Sequence, residues 1–349
     1  MVMGEIYYNG TKLLNMLDLV GDKPAIYICT GNRTAGKTTY FNRYVVNRFL
    51  NHGEKFLLLY RYDYQLDNVP DKFFKEIGEL FFPELTLRSE KRDRGKFREL
   101  FLNDKSCGYA VCLHSSNNTR ENSHFFSDVT RIFFDEFQPE DGKYIKDEIK
   151  RYRSTYTSVA RGKGKQSRYV QVIMVSNAVS LLNPYFIAFG ISSRLRSDTK
   201  YLRGNGYVLE LTLNEHAARA MRESKFNQAF ESDNSYLDFA AQNVYLDDSA
   251  AFLEKPTGKS RYLGTILYKG GEYGIREYAD SGVIYCDDRP DKSYKFKIAI
   301  TTADHDINYV MLKKNDLFFT GLRWYFDKGC FRFKNNLCKD AILTALSII

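Results

Sequence analysis

Gly31-Asn32-Arg33-Thr34-Ala35-Gly36-Lys37-Thr38 fits the phosphate-binding pattern G-x-x-x-x-G-K-[ST] without a departure. Glycines in such a loop let backbone N–H groups curl around phosphate oxygens, and the helix that follows favours an anion at its N-terminus. In that chemistry Lys37 reaches the β and γ phosphates of ATP, the Thr38 hydroxyl ligates Mg2+, and Thr39 completes the nucleotide-binding run. A glycine-rich turn is the bland alternative. The loop's position disfavours it: a strand-like run, Ala25-Ile26-Tyr27-Ile28-Cys29, precedes it and a helix-like stretch from Lys37 to about Leu50 follows.

Arg131-Ile132-Phe133-Phe134-Asp135-Glu136-Phe137 supplies a second half, an apolar strand ending in two adjacent carboxylates. Asp135 would hold Mg2+ through water, and Glu136 could activate the attacking water for in-line displacement. Alone, such a strand end often just starts a loop; beside a phosphate loop it reads as a catalytic pair. The adjacent Glu favours a hydrolysing ATPase with an extra catalytic glutamate over a GTPase switch. A third apolar run, Val172-Ile173-Met174-Val175-Ser176-Asn177, ends in small polar groups. Ser176 or Asn177 could sense the γ phosphate there; the plainer role for Asn177 is to cap the next segment.

All three groups lie at C-terminal strand ends, so a largely parallel sheet has to position them. The chain has that rhythm. Lys55 to Tyr62, Gly108 to Leu113, Thr130 to Asp135, Tyr169 to Ser176 and Tyr207 to Leu211 are continuous apolar runs of the kind buried on both faces. Residues 1–213 therefore read as an α/β P-loop ATPase domain of the additional-strand, catalytic-glutamate type. Residues 214–247 are more polar and helix-compatible, a connector. From 248 to 349, short strands at Tyr262 to Tyr268, Glu272 to Tyr278, Gly282 to Cys286 and Phe296 to Thr302 alternate with Gly, Asp or Pro turns. With helix-like stretches near Asp316 to Phe326 and Lys339 to Ile349, they predict a small α+β domain built on an antiparallel sheet.

Composition narrows the class further. Of 349 residues, 44% are hydrophobic and 27% charged, which excludes wholesale disorder. The six cysteines include no Cys-x-x-Cys pair, arguing against zinc ribbons and secreted disulfide scaffolds and for reduced thiols. No apolar run approaches the ~20 residues of a membrane span, and no signal core opens the chain. A net charge of +8 makes a polyanionic partner plausible without identifying one. From Lys150 to Arg168 there are seven basic residues and no acid, which points to nucleic acid or a subunit interface. Thr86 to Arg98 carries six basic residues against Glu90 and Asp93 and reads more as a solvated face.

Together, the phosphate loop with its internal Arg33, the Phe-Asp-Glu-Phe strand end, and Ser176-Asn177-Ala178-Val179-Ser180 followed by Asn183-Pro184-Tyr185-Phe186 resemble the DNA encapsidation ATPases. These are the genome-packaging motors of small tailed phages with protein-primed linear genomes. Tyr8-Asn9 and Phe252-Leu253-Glu254-Lys255 extend the likeness, and the C-terminal quarter matches weakly. The resemblance implies a homo-oligomeric ring, a pentamer, docked on a procapsid portal through a structural packaging RNA and threading double-stranded DNA with ATP and Mg2+. It would work in the cytoplasm of an infected bacterial host, transiently attached to the procapsid and not to a membrane. It also implies that a neighbour's basic residue, Arg161 or else Arg120, completes each active site, with Arg33 a coupling residue in cis. Asp63 departs from the pattern, which has a basic DNA-contacting residue there. Larger relatives carry a C-terminal nuclease of RNase H type that holds two metals on a carboxylate cluster. Here Arg261 to Tyr268 contains no acid, and Asp287, Asp288, Asp304 and Asp306 stand in turn-like contexts, so the expectation is an RNase H-like fold without nuclease activity. Another nucleic-acid-stimulated translocase or helicase ATPase is the alternative, and a nucleotide-sensing scaffold is a third reading that Glu136 argues against.

Overall fold

The apolar run before the phosphate loop forms a buried strand, β1 (Ile26–Gly31), and its neighbours form around it. In the computed structural model, which describes residues 7–162, 164, 166–179, 183–191, 194–195, 199–229, 254–314 and 316–349, nine strands make one sheet. They are β1, β2 (Lys55–Tyr60), β3 (Leu87–Arg92), β4 (Phe97–Leu102), β5 (Lys105–Cys112), β6 (Val129–Asp135), β7 (Gln171–Asn177), β8 (Tyr201–Gly204) and β9 (Tyr207–Thr212), in the order β3-β4-β5-β2-β6-β7-β1-β9-β8. The central strands β5, β2, β6, β7, β1 and β9 run parallel, and antiparallel strands close both edges. β7 lies between the strand of the phosphate loop and the strand that ends in Asp135, which is the additional-strand arrangement expected from the sequence.

Around this sheet run α1 (Thr11–Leu14), α2 (Lys37–His52), α3 (Gln65–Phe81), α4 (Ser116–Glu121), α5 (Glu148–Ala160), α7 (Glu215–Glu223) and α8 (Lys225–Gln228), while α6 (Pro184–Ala188) belongs to the second unit described below. α2 begins at the loop's second glycine and stops at Gly53, whose φ of 66° satisfies the left-handed C-cap. Its Phe41, Val45 and Val46 are fully buried against Tyr27, Cys29, Phe133 and Ile173, so the helix after the phosphate loop is clamped to the strands that carry the other site residues. The six cysteines are free thiols, and five of them are buried.

The charged stretch Thr86 to Arg98 is an antiparallel edge hairpin, β3 and β4, whose charged side chains stay partly exposed. Most of its cations are neutralised nearby: Arg92 pairs with Glu99 at 2.7 Å, Lys91 with Asp67 at 2.7 Å, and Lys96 with Asp93 at 3.0 Å. Buried Arg98 donates to the carbonyls of Leu66 and Asp67. One sequence expectation is corrected: the C-terminal sheet is mixed rather than antiparallel. It contains β10 (Arg261–Tyr268), β11 (Gly271–Tyr278), β12 (Val283–Asp287), β13 (Lys297–Ala299), β14 (Val310–Met311) and β15 (Phe331–Phe333), ordered β14-β13-β10-β11-β12-β15. The first three form an antiparallel meander, but the chain then crosses over so that β13 joins β10 in parallel, with β14 parallel beyond it. Short strands and turns do not reveal a crossover of this kind. Strand order and direction match the RNase H-like arrangement, with β15 added beside β12. Helices α9 (Leu317–Asp327) and α10 (Asn336–Ile348) begin at Asp316 and Asn335, whose side chains accept the backbone N–H groups of Phe319 and Cys338.

Backbone contacts divide the chain into one unit of Met1–Val179 with Lys200–Asn243 and another of Ser180–Thr199 with Val244–Ile349. Of the expected connector, α7 and α8 are helical, while residues 230–247 lie outside the described residues, as do Ser180, Phe252, Leu253 and two lysines of the basic stretch, Lys163 and Lys165. Among the described residues no helix is long and apolar enough to cross a membrane.

Gly108, on β5, is paired with Phe56 of β2, and a Cβ added there would lie 2.0 Å from the Phe56 carbonyl oxygen. Gly108→Ala should therefore destabilise the first unit by about 1–3 kcal/mol through overpacking. A urea titration showing an unchanged midpoint would contradict this crowding.

Candidate nucleotide site

The loop between β1 and α2 is shaped by its own backbone. Thr34 and Gly36 have positive φ values of 57° and 86°, the kind of backbone that in phosphate loops turns N–H groups toward a bound anion. Gly31 has a different reason to be glycine: a Cβ would meet the Thr212 carbonyl oxygen of β9 at 2.0 Å. Asn32 does not point its side chain at a ligand. Its amide exchanges two hydrogen bonds with the backbone of Asn214, at 2.8 and 2.9 Å, while the Asn214 side chain caps α7 through the Ala217 N–H. Lys37 is 5% exposed, and its ammonium donates to the carbonyls of Asn32 at 2.5 Å and Gly31 at 3.3 Å. Burial holds its pKa below the usual lysine value, an effect opposed by Cys29 and Asp135.

Thr38 and Asp135 come together as the sequence predicts, with the hydroxyl donating to a carboxylate oxygen at 3.1 Å. Burial pushes the Asp135 carboxyl up to about 6, and the hydrogen bonds from Thr38 and the Glu136 N–H only partly offset it. A hydroxyl and a carboxylate at the foot of a phosphate loop are hard oxygen donors of the type Mg2+ takes when phosphates complete its shell, so these residues fit the ion. Among the described residues no group of three or more His, Cys, Asp and Glu side chains offers a fuller metal site.

Glu136 is exposed and has a φ of 57°, a left-handed conformation that costs a non-glycine residue about 1–3 kcal/mol and persists only where surroundings enforce it. The enforcing group is Arg61, at the end of β2. Its guanidinium donates to the carbonyls of Glu136 at 3.1 Å and Phe137 at 2.7 Å and pairs with Glu148 of α5 at 3.0 Å. Both partners of that ion pair are almost fully buried, with Phe134 and Tyr144 rings near the guanidinium. Nothing in the spacing of Arg61 and Glu148 signals this clamp, because it joins residues 87 positions apart.

The two sensor candidates separate. Ser176 is 3% exposed and directs its hydroxyl to Thr30, whereas Asn177 faces the loop, its carbonyl oxygen 3.5 Å from the Lys37 ammonium and its amide donating to Glu140 at 3.1 Å. Arg33 pairs with the same Glu140. Residues Arg33 to Thr39, Asp135, Glu136, Ser176 and Asn177 all line one cavity of about 900 Å³. Tyr7, Tyr8, Asn9, Tyr40, Arg43 and Phe81 form other parts of its wall, which motif reading left unassigned apart from the family likeness of Tyr8-Asn9.

Arg120 and Arg161 do not line this cavity. Both are exposed, Arg120 in the last turn of α4 and Arg161 at the C-terminal end of α5, and neither forms an ion pair among the described residues. The basic stretch that holds Arg161 is not uniformly free. Arg168 donates to the carbonyls of Phe126, Val129 and Val159, capping the end of α5, and Arg151 bonds the carbonyls of Lys146 and His114. Asp63, the departure from the family pattern, accepts from Cys112, Ser115 and His114. Burial alone would raise its pKa, but those bonds hold it below the usual carboxylate range.

The raised Asp135 pKa gives a sign. Below about pH 6 the carboxyl is protonated in the ligand-free protein, and cation binding has to displace that proton. Affinity for Mn2+ with ADP should fall up to ten-fold per pH unit below about 6 through this group and level off above about 7. Asp135→Asn should remove that component of the profile; a wild-type profile identical to the variant's would refute the assignment.

Comparison with known proteins adds independent support. The family model described as the podovirus DNA encapsidation protein (Gp16) matches residues 3–346. The DNA packaging protein of Bacillus phage phi29 is 26% identical over 342 residues, covering 96% of this chain and 95% of the relative. That of Bacillus phage B103 is 26% identical over 316 residues, covering 88% and 92%. Among solved structures, the viral genome packaging motor assembly of bacteriophage Phi-29 matches with a TM-score of 0.59 at 24% identity, covering 96% of this chain and 97% of the other. A TM-score of 0.58 at 15% identity relates the fold to the Phi-28 gp11 DNA packaging motor, covering 98% of each chain. With a family model matched over nearly its whole length and a site that agrees residue by residue with the phosphate-loop pattern, the chain belongs to the podovirus DNA encapsidation proteins.

Proposed function

We propose that this protein is the ATP-hydrolysing subunit of a viral DNA-packaging motor, translocating double-stranded DNA into a procapsid. The observation that carries the reading is the convergence of Lys37, Thr38, Asp135, Glu136 and Asn177 on one cavity in a chain of this family. In the proposed cycle the loop N–H groups and Lys37 bind the triphosphate, with Lys37 exchanging its bonds to loop carbonyls for phosphate oxygens. Thr38 and Asp135 would hold Mg2+, which would supply positive charge against that developing on the phosphates. Glu136, fixed in its turn by Arg61, orients the attacking water and accepts its proton. Asn177 reads the γ phosphate, and Arg33 couples loop occupancy to Glu140.

The finer assembly belongs to the same proposal: a homo-oligomeric ring, a pentamer, docked on a portal through a structural RNA. An exposed arginine, Arg161 or Arg120, would be presented to a neighbour's site. The proposed division is an ATPase domain over 1–213, a connector over 214–247 and an RNase H-like domain over 248–349. The acids that a nuclease of this type would turn to its metals are otherwise occupied. Asp287 pairs with Arg276 at 3.0 Å, Asp288 pairs with Lys334, and Asp304 accepts backbone N–H groups of Lys269 and Gly270. These pairings support a binding rather than a cutting role for that domain.

Glu136→Gln should bind ATP normally and lose hydrolysis by about 10²–10⁴-fold, as expected when a general base is removed. Lys37→Ala should abolish ATP-driven DNA entry into purified procapsids; normal packaging by that variant would overturn the reading, and capsid-free strand separation by wild type would favour a helicase. In rings mixed from wild-type and Arg161→Ala subunits, activity should fall faster than the wild-type fraction. Strict proportionality would exclude Arg161 as the residue acting in trans.

A further inference from the structure

Beneath the phosphate loop lies a buried carboxylate that the proposed cycle leaves unused. Glu210, on β9, is 4% exposed and stands opposite Cys29 of β1. Its two oxygens accept from two tyrosine hydroxyls, Tyr8 at 2.6 Å and Tyr201 at 2.8 Å. Burial pushes both hydroxyls well above the usual tyrosine range, so each stays a neutral donor to the anion. Tyr8 is also tied to the loop itself. Its backbone N–H donates to the Ala35 carbonyl at 2.8 Å, and its ring meets Tyr40 and Phe41 of α2 at centroid distances of 5.5 and 5.7 Å.

The neighbours of this anchored residue face the cavity. Tyr7 is 60% exposed, and its ring passes close to Gly36, so that a Cβ there would lie 3.3 Å from a ring carbon. Asn9 accepts from the Thr11 N–H through its side-chain oxygen, which leaves its amide N–H groups for a ligand. The segment 7–9 is therefore a wall of the cavity bolted from behind to the sheet. Phosphates bound at the loop are held by the loop's own backbone, whereas a nucleoside extending from them would meet this wall.

We infer that Glu210 and Tyr8 are positioning residues for the nucleoside half of ATP: the Tyr8–Glu210 bond holds segment 7–9 where Tyr7 and Asn9 can contact base or ribose. This rests on the ATPase reading above. Removing the Tyr8 hydroxyl takes away one donor from the buried Glu210 carboxylate and loosens the wall's tie to the sheet, while the backbone bond to Ala35 and the ring packing on α2 stay in place.

The test compares ATP with inorganic tripolyphosphate, which offers the phosphates and no nucleoside. Tyr8→Phe should raise the KM for ATP about ten-fold and leave kcat and the Kd for tripolyphosphate unchanged. Glu210→Gln, which keeps an acceptor oxygen, should show a smaller rise in KM than Tyr8→Phe, and Tyr201→Phe should have a smaller effect too because the Tyr8 bond survives. Equal weakening of ATP and tripolyphosphate in Tyr8→Phe would make the residue a structural support of the loop and overturn the inference, as would no effect on either. Failure of wild type to bind tripolyphosphate or ATP would instead remove the ATPase reading itself.

Discussion

The parallel register of β6, β7 and β1 is the constraint from which the rest of the site follows. Ile26 to Gly31 pair with Val172 to Asn177, and Asp135 pairs with Val175, so three strand ends arrive at one edge of the sheet together. Side chains alternate along a strand, and a slip of one residue would send each group to the opposite face. Continuous burial of Val172 to Ser176 on β7 resists such a slip, because both faces of that strand are packed. Chemistry at this edge is thus a consequence of apolar packing several residues away from it.

Electrostatics at the edge is arranged so that the protein satisfies its own charges in the absence of a ligand. Lys37 is bonded to loop carbonyls, Arg33 to Glu140, and Asp135 is held by Thr38 and a backbone N–H. A triphosphate can replace these weak internal acceptors with a stronger anion at little geometric cost. The exposed carboxylate next to Asp135, Glu136, is kept in an unfavourable backbone conformation by a buried arginine. Breaking the Arg61–Glu148 pair on one side only would strand an uncompensated charge, whereas the intact pair adds shape more than stability. α5 carries this link: Glu148 lies in its first turn and Arg161 caps its other end.

The excess positive charge is distributed less simply than the composition suggests. Most cations of the β3–β4 hairpin pair with nearby acids, and Arg168 is committed to three carbonyl groups around the end of a helix. Arg120 and Arg161 are exposed and outside ion pairs among the described residues, which makes them available to a partner in a way that a count of +8 cannot express.

The amino-acid sequence alone was enough for everything that depends on local spacing. The phosphate loop, the Asp135-Glu136 strand end and the Asn177 turn each announce themselves within a few residues, because their chemistry needs consecutive groups on one strand–turn unit. The parallel core strands were legible for the same reason, as unbroken apolar runs. What remained hidden is what joins distant positions. Arg61 reaches Glu148 and Glu136, Tyr8 reaches Glu210, and Asn32 reaches Asn214 only because the sheet order puts β2 beside β6 and β9 beside β1. The crossover that makes the C-terminal sheet mixed belongs to the same class. Local residue pattern sets which elements form; the burial of their faces against one another decides which long-range polar pairs meet, and that is a property of the folded chain alone.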